Sequence, residues 1–435
     1  MKFSQFNAII PYSEKYAVYN SFTQRVIFID PALKEILDAA MHEGVDNLEE
    51  VHPTFYQYLV EQEFLLDNHV NEVDELKARV KSVDENFDSF LLTINPSMNC
   101  NFKCWYCYET HVKGSRLSSE TIARINTFIF NMASTRGLKN FSLSLFGGEP
   151  LLYFEKDVVP VIDQYISQCR LNDLRPNIHF TTNGYLVDQA FVNYFNEKGV
   201  APTFQITLDG YREKHDEVRY VSANKGSYFK IIENIKLLIT NKFSVQIRIN
   251  YTEKNVDGTH LIADEFSDVD PLFTNNYLQF NYHRVWQDGK HDNTYLLLEE
   301  NVRKVEEAGL TALTHESPNH VYNSCYADKR NSAVINFNGD VYKCTARDFT
   351  HVKREGYLDD QGDILWENNS LQRRMNAKFK NKPCLSCRIM PLCNGGCSQL
   401  ALEFLESVDD YCVYSGNENE KMRIVKNKIR EIVSI

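Results

Sequence analysis

The sequence predicts an α/β fold in which helices wrap a parallel sheet. Short apolar segments with strand-like character recur through the middle of the chain, and runs with helical spacing separate them. The predicted strands are residues 89–97, 141–147, 177–183, 202–209, 244–250 and 277–285. Because crossovers between parallel strands are right-handed, these units form either an incomplete barrel or a doubly wound sheet.

The segments between the strands support this assignment. One helix begins after the predicted N-cap Ser118 and places Ile122, Ile125 and Ile129 on a single face. In either architecture, the chemistry is expected at the carboxyl ends of the strands. Four unusual stretches follow predicted strands there: residues 100–107, 147–150, 183–184 and 209–210.

Composition excludes several classes of protein. The 435 residues allow more than one domain, and the formal net charge of −12 disfavours a nucleic-acid surface. No apolar run reaches the 18 residues or so of a membrane-spanning helix. The start, MKFSQFNAII, lacks the features of a secretory signal. We therefore expect a cytoplasmic protein without membrane or nucleic-acid partners.

The pattern of residues 1–67 indicates a separate module that precedes the parallel sheet. Two strand-like runs are followed by two helix-like runs, an order typical of a winged-helix-like module. Residues 1–80 carry 14 acidic against 6 basic residues, which disfavours DNA and favours a peptide bound by strand addition. A structural cap on the barrel is the alternative. Residues 68–88 have helical spacing and form the predicted linker.

Eleven cysteines without an export signal indicate metal binding or catalysis rather than disulfides. Cys169 stands apart in a helical apolar pattern that predicts a small buried residue. The others form a group of three, Cys100, Cys104 and Cys107, and a group of seven that begins at residue 325.

The first group has the spacing C-x3-C-x2-C, which suits disulfides, zinc or an iron–sulfur cluster. Three thiolates on a [4Fe–4S] cluster leave one iron with an open position. Catalytic zinc also has three protein ligands, but hydrolytic sites usually include histidine or carboxylate. The neighbouring Phe102, Trp105 and Tyr106 favour a redox centre with little water.

This cysteine run, with the aromatic Tyr106 before its last cysteine and a predicted first barrel strand before it, resembles the radical S-adenosylmethionine (SAM) superfamily. The resemblance implies a partial (β/α)6 barrel over residues 89–310. It also implies that the amino and carboxylate groups of SAM bind the open iron. One electron then cleaves SAM to a 5′-deoxyadenosyl radical that abstracts hydrogen from a substrate.

Other motifs extend the resemblance. The Gly-Gly-Glu-Pro motif at 147–150 could bind a cationic amine, because its glycines let the backbone approach a ligand closely and Glu149 carries a negative charge. The same four residues would also form an ordinary turn before a helix. The guanidinium of Arg219 could bind the carboxylate of a ligand, or it could form an ordinary surface salt bridge. Arg248 and Asn255 are further candidates at the fifth strand. The SAM contacts implied are Tyr106, Gly147, Gly148, Glu149, Pro150, Thr182, Asn183, Thr207, Asp209 and Arg219.

The second cysteine group has the spacing C-x13-G-x4-C followed by C-x2-C-x5-C-x3-C and a lone cysteine. Two zinc sites would need eight ligands, and seven thiolates without a nearby histidine fit them poorly. The pattern is similar to the SPASM domain of radical SAM enzymes, predicted here at residues 311–435 with a C-terminal helix. That similarity implies two auxiliary [4Fe–4S] clusters, held by Cys384, Cys387, Cys393 and Cys412 and by Cys325, Cys344 and Cys397.

Enzymes with this two-part architecture mostly oxidise side chains of ribosomally made peptides or proteins. The leading prediction is therefore a maturase that forms a thioether or carbon–carbon crosslink in a precursor peptide. The leader would bind residues 1–67, and a flavodoxin or ferredoxin would donate electrons.

Two alternatives stay open. A sulfatase-type maturase makes formylglycine, but its aspartate base directly follows the second tail cysteine, whereas Thr345 follows Cys344 here. Asp348 and Asp209 are candidate bases. A non-catalytic iron–sulfur or zinc-binding protein is the other alternative.

Overall fold

The computed structural model describes residues 1–222, 225–289, 292–314, 320–404 and 412–433. The chain divides into two compact units. The larger comprises Phe87–His315 and Asn331–Ser370, and the smaller comprises Met1–Asn86, Glu316–Arg330 and Leu371–Ile435. The predicted boundaries at residues 67, 88 and 310 stay predictions.

The sheet of the larger unit confirms the predicted α/β class. Its six central strands are Ser89–Asn95, Asn140–Leu145, Asn177–Thr182, Thr203–Leu208, Ser244–Tyr251 and Leu278–Arg284. They are called here the first to sixth strands. All six run parallel, and each lies beside its neighbour in the chain. Because this order contains no reversal, it fits the incomplete barrel and not the doubly wound sheet.

Five further strands extend this sheet beyond the predicted six. Thr311–Thr314 pairs parallel with the sixth strand, and Ser332–Asn336 pairs parallel with the first. A meander of three antiparallel strands completes the edge: Asp340–Tyr342, Gly356–Leu358 and Ile364–Trp366.

Alternation along each strand separates an apolar face from a polar one. Phe180, Ile206 and Ile247 are buried among the surrounding helices. These helices are Ser119–Ala133, Val159–Leu171, Gln189–Lys198, Glu213–Asp216, Tyr228–Thr240, Pro271–Tyr277 and Asp292–Glu307. A π turn at Phe154–Val158 and a 3-10 helix at Thr259–Phe266 complete the layer. As predicted, Ser118 caps its helix by accepting a hydrogen bond from the backbone of Thr121.

The smaller unit begins with an antiparallel sheet of Asn7–Tyr12, Lys15–Asn20 and Val26–Ile29. The second predicted strand run is divided in two because the Asn20 side chain accepts hydrogen bonds from the backbone of Phe22 and Thr23. Lys2–Phe3 pairs with Leu65–Leu66. The helices are Pro31–Glu43, Asn47–Val51, Pro53–Glu61 and Glu72–Asp84, the last within the predicted linker.

The C-terminal part of the smaller unit contains the short helices Lys382–Leu385, Met390–Cys393 and Ser398–Phe404 and the long helix Glu418–Val433. Residues Ile389, Leu392, Ile424, Val425 and Ile429 pack against Ala8, Ile10, Ala17 and Tyr19 of the N-terminal sheet. The N-terminal sheet and the C-terminal helix therefore share one core. Among the described residues, no helix combines the length and apolar character needed to cross a bilayer.

Candidate active site

A cavity of about 170 Å³ lies at the carboxyl ends of the parallel strands. The structure brings ten of the predicted site residues to its wall: Cys100, Cys104, Tyr106, Cys107, Gly147, Gly148, Thr182, Asn183, Thr207 and Arg219. They come from the ends of the first four strands because parallel strands all end at the same edge of the sheet. Glu149, Pro150 and Asp209 do not reach this wall.

The loop after the first strand holds the three cysteines. Its base is closed by a 2.7 Å hydrogen bond from the Ser97 hydroxyl to the Ser115 carbonyl. Burial raises the pKa of Cys100 to about 12 and that of Cys107 to about 11. Such thiols keep their protons unless a metal replaces them. Three soft sulfur donors on one concave loop therefore fit an iron–sulfur cluster with an open iron.

The Gly147-Gly148 loop packs directly against the cysteine loop. The backbone amides of Gly148 and Glu149 donate 3.0 Å hydrogen bonds to the carbonyls of Ser97 and Asn99. A Cβ atom on Gly147 would lie 2.7 Å from the Ser97 oxygen, and one on Gly148 would lie 2.4 Å from the Asn99 oxygen. Both positions therefore require glycine because the cysteine loop lies so close, whether or not a ligand also approaches them.

Glu149 is buried and faces protein donors. Its carboxylate accepts hydrogen bonds from the Thr182 hydroxyl at 2.7 Å and from the amides of Asn183 and Leu151 at 2.9 and 3.0 Å. These bonds tie the end of the second strand to the end of the third. A SAM contact through Glu149 stays a prediction, since all three observed partners of its carboxylate are protein groups.

Tyr106 connects the cysteine loop to the fourth and fifth strands. Its hydroxyl donates to Asp209 and accepts from Arg219 Nη2 at 2.8 Å and from Asn250 Nδ2 at 3.0 Å. Arg219 also pairs through Nε with Asp209. Burial raises the pKa of Tyr106, so its hydroxyl stays protonated as a donor. This network holds Arg219 at the cavity wall.

The two candidate bases are both engaged by protein. Both Asp209 oxygens are hydrogen-bonded in the network above, and its side chain is fully buried. Asp348 accepts 2.8 Å hydrogen bonds from the backbone amide and the hydroxyl of Thr110. It therefore fastens the segment after Cys344 to the segment after Cys107. A role as base stays a prediction for each.

Four tail cysteines meet in the smaller unit. Cys384, Cys387, Cys393 and Cys412 line a cavity of about 350 Å³ together with Lys421. This is the set expected for one auxiliary cluster. Burial raises the pKa of Cys393 to about 12, as at Cys100. Among the described residues, no three His, Cys, Asp or Glu side chains close around a single metal ion.

The other predicted cluster set stays a prediction. Cys325 and Cys397 belong to the smaller unit, and Cys344 belongs to the larger. All three are half-buried.

Several cavity residues lie outside the predicted set. Glu109, Gln205, Asn250 and Arg284 reach the wall, and so does Arg248, which the sequence offered as a further candidate at the fifth strand. Alternation along the fourth and fifth strands could have identified Gln205 and Asn250, since polar residues there share the face of Thr207. Burial, followed by the charge of Asp348, raises the pKa of Glu109 to about 8.

Replacing Tyr106 with phenylalanine should destabilise the larger unit. The change leaves three buried polar partners without the hydroxyl, and we expect the free energy of unfolding to fall by about 1–3 kcal/mol. Tyr153→Phe is the control, because the one hydrogen bond of the Tyr153 hydroxyl among the described residues is a 3.5 Å contact with Asn99. Denaturant titration measures both, and equal small changes would contradict the proposed role of the network.

Comparison with known proteins agrees with this geometry. Residues 94–257 match the model of the Radical SAM superfamily. A cysteine-type anaerobic sulfatase-maturating enzyme of Clostridium novyi (strain NT) is 29% identical over 349 residues, which span 71% of this chain and 88% of the relative.

Two solved structures share the fold. That of anSMEcpe with bound AdoMet has a TM-score of 0.61 at 19% identity and covers 79% of this chain and 99% of its own. The structure of Streptococcus suis SuiB bound to precursor peptide SuiA has a TM-score of 0.56 at 18% identity. The match covers 96% of this chain and 100% of the SuiB chain.

Proposed function

The chain carries a radical SAM domain, and on this premise we propose that it cleaves SAM reductively and oxidises a peptide substrate. The observation that carries the proposal is the single cavity shared by Cys100, Cys104 and Cys107 with the ends of the next three strands. A [4Fe–4S] cluster on these cysteines would supply the electron that cleaves SAM. Two auxiliary clusters in a SPASM-type tail would bring the total to three.

The protein's own residues would bind and orient the nucleoside. Arg219 presents a guanidinium to the cavity, where it can bind the SAM carboxylate. Asn183 is held by a 2.7 Å hydrogen bond to Asn101 and by the amide of Tyr185. Phe102, Tyr108 and Phe146 supply aromatic walls that exclude water from the radical.

The substrate we propose is a ribosomally made precursor peptide that receives a thioether or carbon–carbon crosslink. Such products are net oxidations, so the substrate radical must pass on an electron, and the tail cysteines could hold an acceptor. SuiB, which shares the fold, was solved with its precursor peptide. In the smaller unit, the edge strands Asn7–Tyr12 and Val26–Ile29 could bind a leader by strand addition. A flavodoxin or ferredoxin would donate the first electron.

Formylglycine formation is the second candidate, favoured by the match to the Clostridium novyi enzyme over most of its length. The two reactions leave different products. Formylglycine is an aldehyde that a hydrazide probe labels, whereas a crosslinked peptide is not labelled and stays joined after proteolysis.

Anaerobic reconstitution tests the step that both candidate functions share, which is the reductive cleavage of SAM. We expect about 12 irons per chain if all three clusters form. Adding SAM should change the paramagnetic resonance spectrum of the reduced protein, and dithionite should then produce 5′-deoxyadenosine. A colourless protein that binds zinc and leaves SAM intact would contradict the proposal and favour a binding protein.

A further inference from the structure

Two arginines on the cavity wall, Arg248 and Arg284, are not among the ten SAM contacts that the resemblance implies, although Arg248 is a further candidate at the fifth strand. Arg248 lies on the fifth strand, paired in register with Thr207 of the fourth and Asn281 of the sixth. Arg284 ends the sixth strand. The cysteine, Gly147-Gly148 and Thr182-Asn183 motifs follow the first three strands, so the arginines occupy a different arc of the cavity.

Neither arginine has a matching counter-charge. Among the described residues, no carboxylate forms an ion pair with either guanidinium, whereas Arg219 pairs with Asp209. The Nε of Arg248 donates a 2.9 Å hydrogen bond to the neutral side chain of Asn250. Glu109 is the one acidic residue among those described on the wall. Burial, opposed in part by the charge of Asp209, lowers the pKa of Arg248.

An arginine does not lose its proton in a protein, so the positive charge of Arg248 persists in this half-buried place. Buried charges are normally paired, and an unpaired guanidinium at a cavity wall indicates an anionic ligand. The planar fork of arginine matches a carboxylate. SAM brings one carboxylate, for which Arg219 is the assigned partner.

We propose that Arg248 and Arg284 bind a carboxylate of the peptide substrate, an Asp or Glu side chain close to the modified position. This inference rests on the proposed function and names its substrate class. The exposed Trp286 and the ring of Tyr108, with centroids 6.5 Å apart, lie on the same cavity wall and offer apolar contact to the flanking residues.

Peptide selection by the reconstituted full-length enzyme, with SAM bound, tests the proposal. The probes are two libraries of nine-residue peptides, randomised around a central Asp or a central Asn. We expect the wild type to retain the Asp library about tenfold better, since a hydrogen bond to a charged group contributes more than one to a neutral group. Arg248→Gln and Arg284→Gln should each reduce this preference, and Arg248→Lys should restore part of it.

Arg303→Gln is the matched control, because Arg303 is exposed on a helix and pairs with Glu307. It should keep the full preference for Asp. A wild type without preference would overturn the inference. So would an Arg248→Gln enzyme whose dissociation constant for SAM rises tenfold while its preference for Asp remains, because the arginine would then serve SAM. Failure of the proposed function is distinguishable, since the wild type would then form no 5′-deoxyadenosine.

Discussion

Replacing Cys104 with alanine should abolish the formation of 5′-deoxyadenosine. Cys104 shares the cavity wall with Cys100 and Cys107, and two thiolates would leave the cluster without its third protein ligand. We expect reconstituted iron to fall by about four atoms per chain, while the signals of the proposed tail clusters stay visible in the paramagnetic resonance spectrum. Chromatography of the dithionite reaction measures the nucleoside.

Cys169→Ala is the control for the loss of a thiol. Cys169 is fully buried on the helix Val159–Leu171 and does not line the cavity. Its replacement should leave both the iron content and 5′-deoxyadenosine formation in place. If the Cys104→Ala enzyme still cleaved SAM, the proposal that the SAM-binding cluster is held by this loop would be wrong.

Deleting residues 1–67 should abolish binding of the cluster proposed at Cys384, Cys387, Cys393 and Cys412, because the N-terminal sheet is lost with it. The deletion uncovers Ile389, Leu392, Ile424, Val425 and Ile429, which pack against that sheet. Each buried side chain of this kind contributes roughly 1.5–3 kcal/mol. Their sum is comparable to the whole net stability of a domain, about 5–15 kcal/mol. We therefore expect the smaller unit to unfold and its iron to be lost, as measured by iron analysis and circular dichroism.

Single substitutions separate this structural role from leader binding. Tyr19→Ala removes a fully buried ring from the core shared with the C-terminal helix, whereas Phe28→Ala removes a ring that is 39% exposed on an edge strand. We expect the first to lower tail iron and the second to leave it unchanged. A deletion variant that kept all its iron and lost only peptide affinity would show that the module serves recognition alone.

The six central strands were predictable because each is a short segment with apolar residues on the face that packs against the helices and mostly polar residues on the other, so the pattern is visible in a few residues. The strand Ser332–Asn336 was not predicted. It is fully buried, so SAVIN shows no apolar–polar alternation, and its partner, the first strand, lies about 240 residues earlier in the chain. Pairing at that distance depends on the assembled sheet.

The site was predictable to a similar extent. Cysteine spacing and paired glycines are local patterns, and the residues they identify do meet at one cavity. The sequence could not show that Glu149 and Asp209 accept hydrogen bonds from protein groups, because the donors Thr182 and Tyr106 lie 33 and 103 residues away in the chain. Nor could it separate Arg219, which is paired, from Arg248, which lacks an acidic partner among the described residues.

Residue spacing alone indicated the α/β class and the two cysteine groups, because periodicity and ligand geometry act over a few neighbouring residues, and the motifs at these positions carried the resemblance to radical SAM enzymes. The tertiary structure decided which polar side chains face the cavity and which carboxylates are hydrogen-bonded to protein groups. It also decided that the N-terminal sheet shares a core with the C-terminal helix. Those outcomes depend on contacts between distant segments, which form only when the strands and helices pack together.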